Sequence, residues 1–342
     1  MINDFISVRG SSGSSRGARR VEEAIRDDFD VRIAAPRREP EGRALRLAFM
    51  LLWDFLIVPL RAMRAGAKLI VHCTNTGWAI GGVRSVVVMH DTMVLDHPAY
   101  FGTAFRWYAH LAFGLSARAA HLVVTPSEHS RRQILNRWPS AMVKVIPWPV
   151  ELASPKGDRA QRNRRVLVVA SADRHKRLPL AIAVVEAARA RSGEDIGLDL
   201  VVRSGNDQDA LMAAVSGNES WIRVHRSVSE VALSDLYQQA ICVLVTSIDE
   251  GFCLPAVEAA VHGTPVAHAG PGALPEVAPF DGAPSDVLMS DEELLVTRVI
   301  DLLDDSRAQQ EAERLRQHVR ENFSPARVRT AWLEALEAVR CK

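Results

Sequence analysis

Neither sign of charge dominates this chain. Its 342 residues carry 42 Lys+Arg against 41 Asp+Glu, a formal net charge of +1 at pH 7, so bulk electrostatics offers no case for a nucleic-acid partner. Cysteine is scarce. Cys73, Cys242, Cys253 and Cys341 show no paired spacing, which argues against a disulfide scaffold and against a zinc site. No signal-peptide pattern opens the sequence, and with the thiols this points to a reducing cytoplasm. Glycine and proline are at ordinary levels and 48% of residues are apolar, which excludes a disordered composition. Long apolar runs are almost absent. The exception, 44–60, is short for a bilayer span and is interrupted by Arg46, Asp54 and Pro59. It reads first as a buried helix. The alternative is peripheral contact with the inner membrane face, since Arg43, Arg46, Arg61 and Arg64 suit anionic headgroups as well as solvent.

What is present centres on residues 249–258, Asp-Glu-Gly-Phe-Cys-Leu-Pro-Ala-Val-Glu. Ile241 to Val245 before it is short, apolar and β-branched, a buried strand. Ala256 to His262 after it is small and apolar until Gly263-Thr264-Pro265 stops it, a helix. Glu250-Gly251-Phe252 is therefore a turn at a strand's carboxyl end that opens onto a helix N-terminus. Open α/β sheets bind ligands there, and the unbonded N–H groups and the dipole favour an anion such as a diphosphate. Gly251 lets backbone come close, and Pro255 suits a first helical turn. Glu250 and Glu258 bracket the turn. Carboxylates do not serve an anion but suit the hydroxyls of a sugar or ribose. The plain alternative is a βα unit with a capping Glu.

Glu-Gly-Phe-x-Leu-Pro-x-x-Glu, followed by Gly263-Thr264-Pro265-Val266 and Leu274-Pro275-Glu276-Val277, resembles the Glu-x7-Glu motif of family-4 retaining glycosyltransferases. Cys253 stands where that family usually has Gly or another small residue. The resemblance implies the GT-B fold, two Rossmann-like doubly wound α/β domains facing a cleft. It also implies transfer of a hexose from a nucleotide-diphosphate sugar, a GDP-mannose-like donor being favoured, to a hydroxyl of a glycan or glycolipid in polysaccharide or cell-surface glycan assembly. It is strong over 228–277, good over 88–146 and weak before residue 80.

Alternating strand and helix patterns in two successive sets divide the chain. The break at Pro147-Trp148-Pro149 and the polar stretch after it put an acceptor-side domain at 1–150 and a nucleotide-sugar-binding domain at 151–323. The resemblance adds that the helix at about 324–342 packs back onto the first. In the first half, Ile2 to Val8 reads as a strand before Arg9-Gly10-Ser11-Ser12-Gly13-Ser14-Ser15, a loop able to cradle phosphate or sugar. Gly13 is the best match to the family's glycine-rich loop. Arg84 to Met89 is a strand ending in His90-Asp91-Thr92, similar to the family's His-Asp segment, whose His faces the donor sugar. Asp91 reads as fixing that loop, and Ser127 as an N-cap.

In the second half Val166 to Ala170 is a strand, and Asp173-Arg174-His175-Lys176-Arg177 forms the turn after it. Cations at a strand's carboxyl end can neutralise a diphosphate. The resemblance carries Lys176 over, Arg174 beside it, Arg203 from the next turn, and Val228 near the base. Gly251, Phe252, Cys253 and Leu254 would meet the diphosphate and Glu258 the ribose. His90, Glu250 and Lys176 would be the catalytic set. No cofactor or metal is implied. Asp28-Phe29-Asp30 and Asp207-Gln208-Asp209 read as structural, and Pro275 breaks the dinucleotide pattern begun at Gly270. Two other readings stay open: a nucleotide-sugar-binding protein without transfer activity, and a phosphorylase or epimerase using the same site. The oligomeric state is not legible.

Overall fold

The computed structural model describes residues 1–5, 15–38, 40–152, 163–280 and 290–341. Gly13 lies outside them. The chain divides into two compact units, Met1–Pro149 with Phe323–Lys342, and Val150–Asn322.

The first unit runs β1 (Ile2–Asn3), α1 (Ser15–Ile25), β2 (Ile33–Ala34), α2 (Arg43–Leu52), α3 (Val58–Arg64), β3 (Leu69–His72), β4 (Arg84–Val88), α4 (Met93–Asp96), α5 (Thr103–Ala119), β5 (Leu122–Thr125), α6 (Glu128–Arg137) and β6 (Val143–Val145). Its six strands are parallel in the order β2-β1-β3-β4-β5-β6. A parallel sheet is covered on both faces, so its central strands are apolar without alternation. Val86, Val87 and Val88 are all buried, as is every residue of β5.

The second unit runs β7 (Arg165–Ser171), α7 (Leu178–Ser192), β8 (Gly197–Arg203), α8 (Gln208–Val215), β9 (Ile222–His225), α9 (Glu230–Gln239), β10 (Val243–Val245), α10 (Leu254–Val261), β11 (Val266–His268), α11 (Leu274–Val277), α12 (Asp291–Asp301) and α13 (Asp305–Asn322). Its parallel sheet has the order β11-β10-β7-β8-β9. The core gathers Val166, Leu198, Leu200 and Leu244 from the strands with Ala181, Val185, Leu295 and Val299 from the helices. The closing helix, α14 (Pro325–Cys341), belongs to the first unit and packs beside α1. Arg329 on α14 reaches Asp28 at 2.7 Å, so the first Asp-x-Asp triplet anchors a helix.

The apolar run 44–60 departs from its expected form in two ways. Pro59 does not end it. The rod continues through a π turn, Trp53–Ile57, in which the Val58 N–H reaches back to the Trp53 carbonyl. Proline at 59 leaves the Phe55 carbonyl without its helical donor, and the indole Nε1 of Trp78 supplies one at 2.7 Å. The run is also buried on one side only. Met50, Trp53 and Val58 are buried, whereas Leu45, Leu52 and Leu56 are exposed. Among the described residues no helix is long and apolar enough to cross a membrane.

The π turn also delivers Asp54, fully buried, into a polar network. Its Oδ1 accepts from Asn3 Nδ2 at 2.7 Å and its Oδ2 from Thr76 Oγ1 at 2.6 Å. Trp53 Nε1 donates to Asn3 Oδ1 at 2.9 Å, and Asn3 Nδ2 also meets His72 Nδ1 at 3.1 Å. His72 therefore carries its proton on Nε2, which donates to the Trp78 carbonyl at 2.9 Å. Gly77 packs so closely on this ring that a Cβ there would lie 2.2 Å from Nδ1.

Burial pushes the Asp54 carboxyl up from 3.8 to about 7, against the three hydrogen bonds that favour its charge. The folded state thus holds a proton that the unfolded chain releases near pH 4. Stability falls as pH rises from about 4 through about 7, where the charged form must be accommodated. Asp54→Asn is expected to flatten that slope while costing little below pH 5, read as Tm against pH. An unchanged slope would place the pH dependence elsewhere.

Candidate functional site

The candidate site of the second unit is built at the carboxyl edge of its sheet, by the loops leaving β7, β8, β9 and β10. Two of these loops are stitched together. The Ile248 N–H donates to the His175 carbonyl at 2.9 Å, and Thr246 Oγ1 to the Lys176 carbonyl at 2.8 Å. Arg177 Nε donates to the Thr246 carbonyl at 2.6 Å, and its guanidinium also pairs with Asp291 at the start of α12 at 3.1 Å. The β8 loop is locked to the β7 loop in the same manner. The Arg174 N–H donates to Asn206 Oδ1 and the Asn206 N–H to Asp173 Oδ1, both at 3.1 Å.

This scaffold brings Lys176 Nζ to 2.7 Å from Glu250 Oε1, with both side chains mostly buried. Ser247 Oγ donates to the same oxygen at 2.6 Å. Two of the three residues expected to be catalytic are therefore a hydrogen-bonded ion pair. The turn that carries Glu250 rests on Gly272, where a Cβ would lie 2.2 Å from Asp249 Oδ1 and 2.5 Å from the Glu250 amide nitrogen. Gly272 also has φ +63°, and the next amide, Ala273 N–H, donates to the Glu250 carbonyl at 2.8 Å. The glycine that looked like part of a broken dinucleotide fingerprint is the floor of this turn.

Beyond Glu250 the chain enters α10 through Cys253 in the left-handed region, φ 69°. Gly251, Phe252 and Cys253 are buried, so the latter two present backbone rather than side chain to a ligand. Burial raises the Cys253 thiol well above its usual range, leaving it protonated and unreactive at neutral pH. Glu258 lies one turn inside α10. Its Oε2 accepts from the buried Tyr237 hydroxyl at 2.9 Å, a bond that ties α10 to α9. Arg174 is exposed on the loop after β7, Arg203 is exposed at the carboxyl end of β8, and Val228 is partly buried on the loop after β9.

His90 belongs to the first unit, where it follows β4. Its amide donates to Asn75 Oδ1 at 2.7 Å, its carbonyl accepts from Ser130 Oγ at 3.2 Å, and its ring lies 5.5 Å from that of Trp148. Ring Nε2 is 3.1 Å from the Cys73 carbonyl, which can only accept. The proton is therefore on Nε2, and Nδ1 is the acceptor atom. Burial lowers the His90 pKa, which keeps the ring neutral. Asp91 accepts from the Met93 amide at 3.0 Å, fixing the loop as its spacing suggested, and Ser127 caps α6 by accepting from the Ser130 amide.

Ser247, Tyr237 and Asn75 were not singled out by sequence, and Gly272 figured only in the broken dinucleotide pattern. Their partners lie at distances along the chain that no local pattern reports, except for Ser247, three residues before Glu250. Among the described residues no three His, Cys, Asp or Glu side chains converge as metal ligands.

Residues 116–331, more than half of the chain, match the family described as Family 4 Glycosyltransferase in conflict systems. The chain belongs to that family. It is also 29% identical over 267 residues to the MMP α-(1→4)-mannosyltransferase of Mycolicibacterium hassiacum. That match takes in 71% of this chain and 61% of the relative, so this family-4 chain spans about three fifths of the relative's length. Among solved structures it resembles sucrose-phosphate synthase of Thermosynechococcus elongatus, with a TM-score of 0.75 at 17% identity over 99% of this chain and 98% of that one. It also resembles Anabaena HepE in complex with UDP and glucose, with a TM-score of 0.72 at 16% identity over 98% of each chain. At such identities the likeness establishes the fold, two parallel α/β units of the GT-B class, as the Glu-x7-Glu resemblance implied.

Gly272→Ala places a Cβ against the Glu250 turn at a left-handed φ. It is expected to lower stability by about 1–3 kcal/mol and to weaken nucleotide binding at least as much as Glu258→Ala does. Thermal unfolding and calorimetric titration with nucleoside diphosphates would check this. Wild-type values on both would show that Gly272 does not seat Glu250.

Proposed function

We propose that this chain is a retaining, metal-independent hexosyltransferase. It would move a sugar from a nucleotide-diphosphate donor, GDP-mannose-like by preference, to a hydroxyl of a glycan or glycolipid acceptor. The observation that carries the proposal is the Lys176–Glu250 pair at 2.7 Å, set between two strand ends beside the N-terminus of α10.

The chemistry follows from the leaving group. As the glycosidic bond breaks, the nucleoside diphosphate gains negative charge. Lys176, Arg174, Arg203 and the amides around Gly251 to Leu254 would stabilise it. In the structure Glu250 neutralises Lys176. A bound diphosphate takes over that ammonium, which leaves the Glu250 carboxylate, still held by Ser247, to accept from the donor sugar's hydroxyls. Glu258, fixed through Tyr237, would accept from the ribose hydroxyls. Val228 would lie near the base, and His90 Nδ1 would accept from a sugar hydroxyl. No nucleophile is assigned.

Named substrates of similar proteins support the donor class. The Mycolicibacterium relative is a mannosyltransferase, and HepE was solved with UDP and glucose. The acceptor half of the reading is a lipid-linked or surface glycan at the inner membrane face, in a cytoplasmic protein that touches lipid through 44–60.

A thermal-shift screen with GDP, UDP, ADP and their sugars should pick out one base. Ligand at a hundredfold excess over its Kd contributes about 2.7 kcal/mol, several degrees in Tm. Lys176→Ala should keep the fold and lose transfer by roughly 10²–10³-fold. Near-wild-type transfer in that variant would overturn the diphosphate assignment. Phosphorolysis, or epimerised donor in the absence of acceptor, would overturn the transferase reading.

A further inference from the structure

The topology of the first sheet decides which helices share a face. Crossovers between parallel strands are right-handed. With the order β2-β1-β3-β4-β5-β6, the α2–α3 rod, α5 and α6 fall on one face and α1 on the other, beside α14. The α2–α3 rod and α5 are neighbours, joined inside by Tyr108 of α5 against Thr76, whose hydroxyl donates to Asp54. Their outer surfaces therefore form one continuous layer.

That layer is apolar where it should be polar. Of the twelve large hydrophobic side chains exposed among the described residues, eight lie on it, foremost Trp107 at 71%, Leu45 at 66% and Leu111 at 57%, with Leu52 and Leu56 at 47%. The apolar residues of α5 follow helical spacing, Trp107, Leu111 and Leu115, on the side opposite its buried Ala109, Ala112 and Phe113. Scattered exposed apolar residues need no account, but a contiguous patch does. The charge is one-sided as well. The rod's single acid is the buried Asp54, α5 has none, and Arg61, Arg64, Arg106 and Arg118 are exposed. At one end Arg106, His110 and Arg137 stand around a notch of about 310 Å³ floored by Val94 and Leu95. Asp96, next in sequence to the notch's Leu95, is held by Arg137 at 2.8 Å and by Thr92.

We propose that the joint outer face of α5 and the α2–α3 rod docks on a bilayer containing anionic phospholipid, with the notch of Arg106, His110 and Arg137 receiving a headgroup phosphate. This deepens the membrane contact of the proposed function, on which it rests, by adding α5 as a second lipid-facing helix. A Trp and leucines among arginines, with no exposed carboxylate among the described residues of α5 and the rod, is the composition of an interfacial surface. A second copy of the chain fits worse, because a two-fold contact would set these arginines against one another with no acid between them.

The test is sedimentation of the full chain with vesicles of phosphatidylcholine alone and of phosphatidylcholine with phosphatidylglycerol. The wild type is expected to bind the anionic vesicles only, and inorganic phosphate at millimolar concentration should not displace it. Trp107→Asp with Leu111→Asp, both exposed and so compatible with folding, should lower the bound fraction about tenfold or more. Arg106→Glu should weaken binding to anionic vesicles. Equal binding to neutral vesicles, no binding, or loss only with Leu52→Asp would overturn the proposal. So would a concentration-dependent dimer that the α5 variants abolish. Displacement by inorganic phosphate would reduce the notch to a free-phosphate site and overturn its headgroup role. Transfer to a water-soluble acceptor and the nucleotide thermal shift should be unchanged in the α5 variants, which separates failure here from failure of the transferase reading.

Discussion

The contact on which the second unit's site depends is the one between the Lys176 ammonium and the Glu250 carboxylate. Each is mostly withdrawn from water, 19% and 12% exposed, so each needs the other. Removing one partner would leave a mostly buried charge, which costs more than the pair contributes. The surrounding structure exists to hold the two in register across a long stretch of chain. Thr246 and Ile248 bond to the β7 loop, Arg177 clasps the end of β10, and Gly272 supports the Glu250 turn from below. A pair held in this way would need little rearrangement if, as proposed, a diphosphate took the carboxylate's place as the ammonium's partner, and such preorganisation is the larger part of electrostatic catalysis.

Around Asp54 the first unit solves a related problem with neutral hydrogen-bonding partners. Its strands are short, β1 only Ile2–Asn3 and β3 only Leu69–His72, so backbone and side-chain polar groups at their ends need partners. Asp54, Asn3, Thr74 and Thr76 satisfy one another inside the unit. The same loop, through Cys73 and Asn75, holds both the amide and the ring of His90. A histidine with its Nε2 proton committed to a carbonyl can act toward a ligand only as an acceptor. The arrangement thus suits a sugar hydroxyl and does not suit the protonation of a leaving group.

Much of this was legible in the sequence, and the parts that were not share a cause. The strand–turn–helix around Glu250, the strand end before His90 and the cap at Ser127 are local patterns, and each stands where its spacing put it. The Lys176–Glu250 pair, the Tyr237–Glu258 bond and the seat that Gly272 provides join positions that only the fold brings together. The apolar run 44–60 shows the limit from another side. Its composition could not say which of its faces is covered, and the π turn that lets Pro59 pass depends on an indole from Trp78, outside the run.

Backbone strain gives a second, independent line toward the same edge of each sheet. Among the described residues the non-glycine positions with positive φ are Asn75, Arg177, Ser227 and Cys253. They follow β3, β7, β9 and β10, and every one lies in a loop leaving the carboxyl end of a strand. Asn tolerates this region, but for Arg, Ser and Cys it costs roughly 1 kcal/mol or more each. Such conformations persist only where surrounding contacts over-determine them, and the contacts here are those that position Lys176, His90 and the entry to α10. Had these loops served only to connect strands to helices, glycine or a relaxed turn would have sufficed. Among the described residues the strain is concentrated in these strand-end loops, and no strand residue has a positive φ.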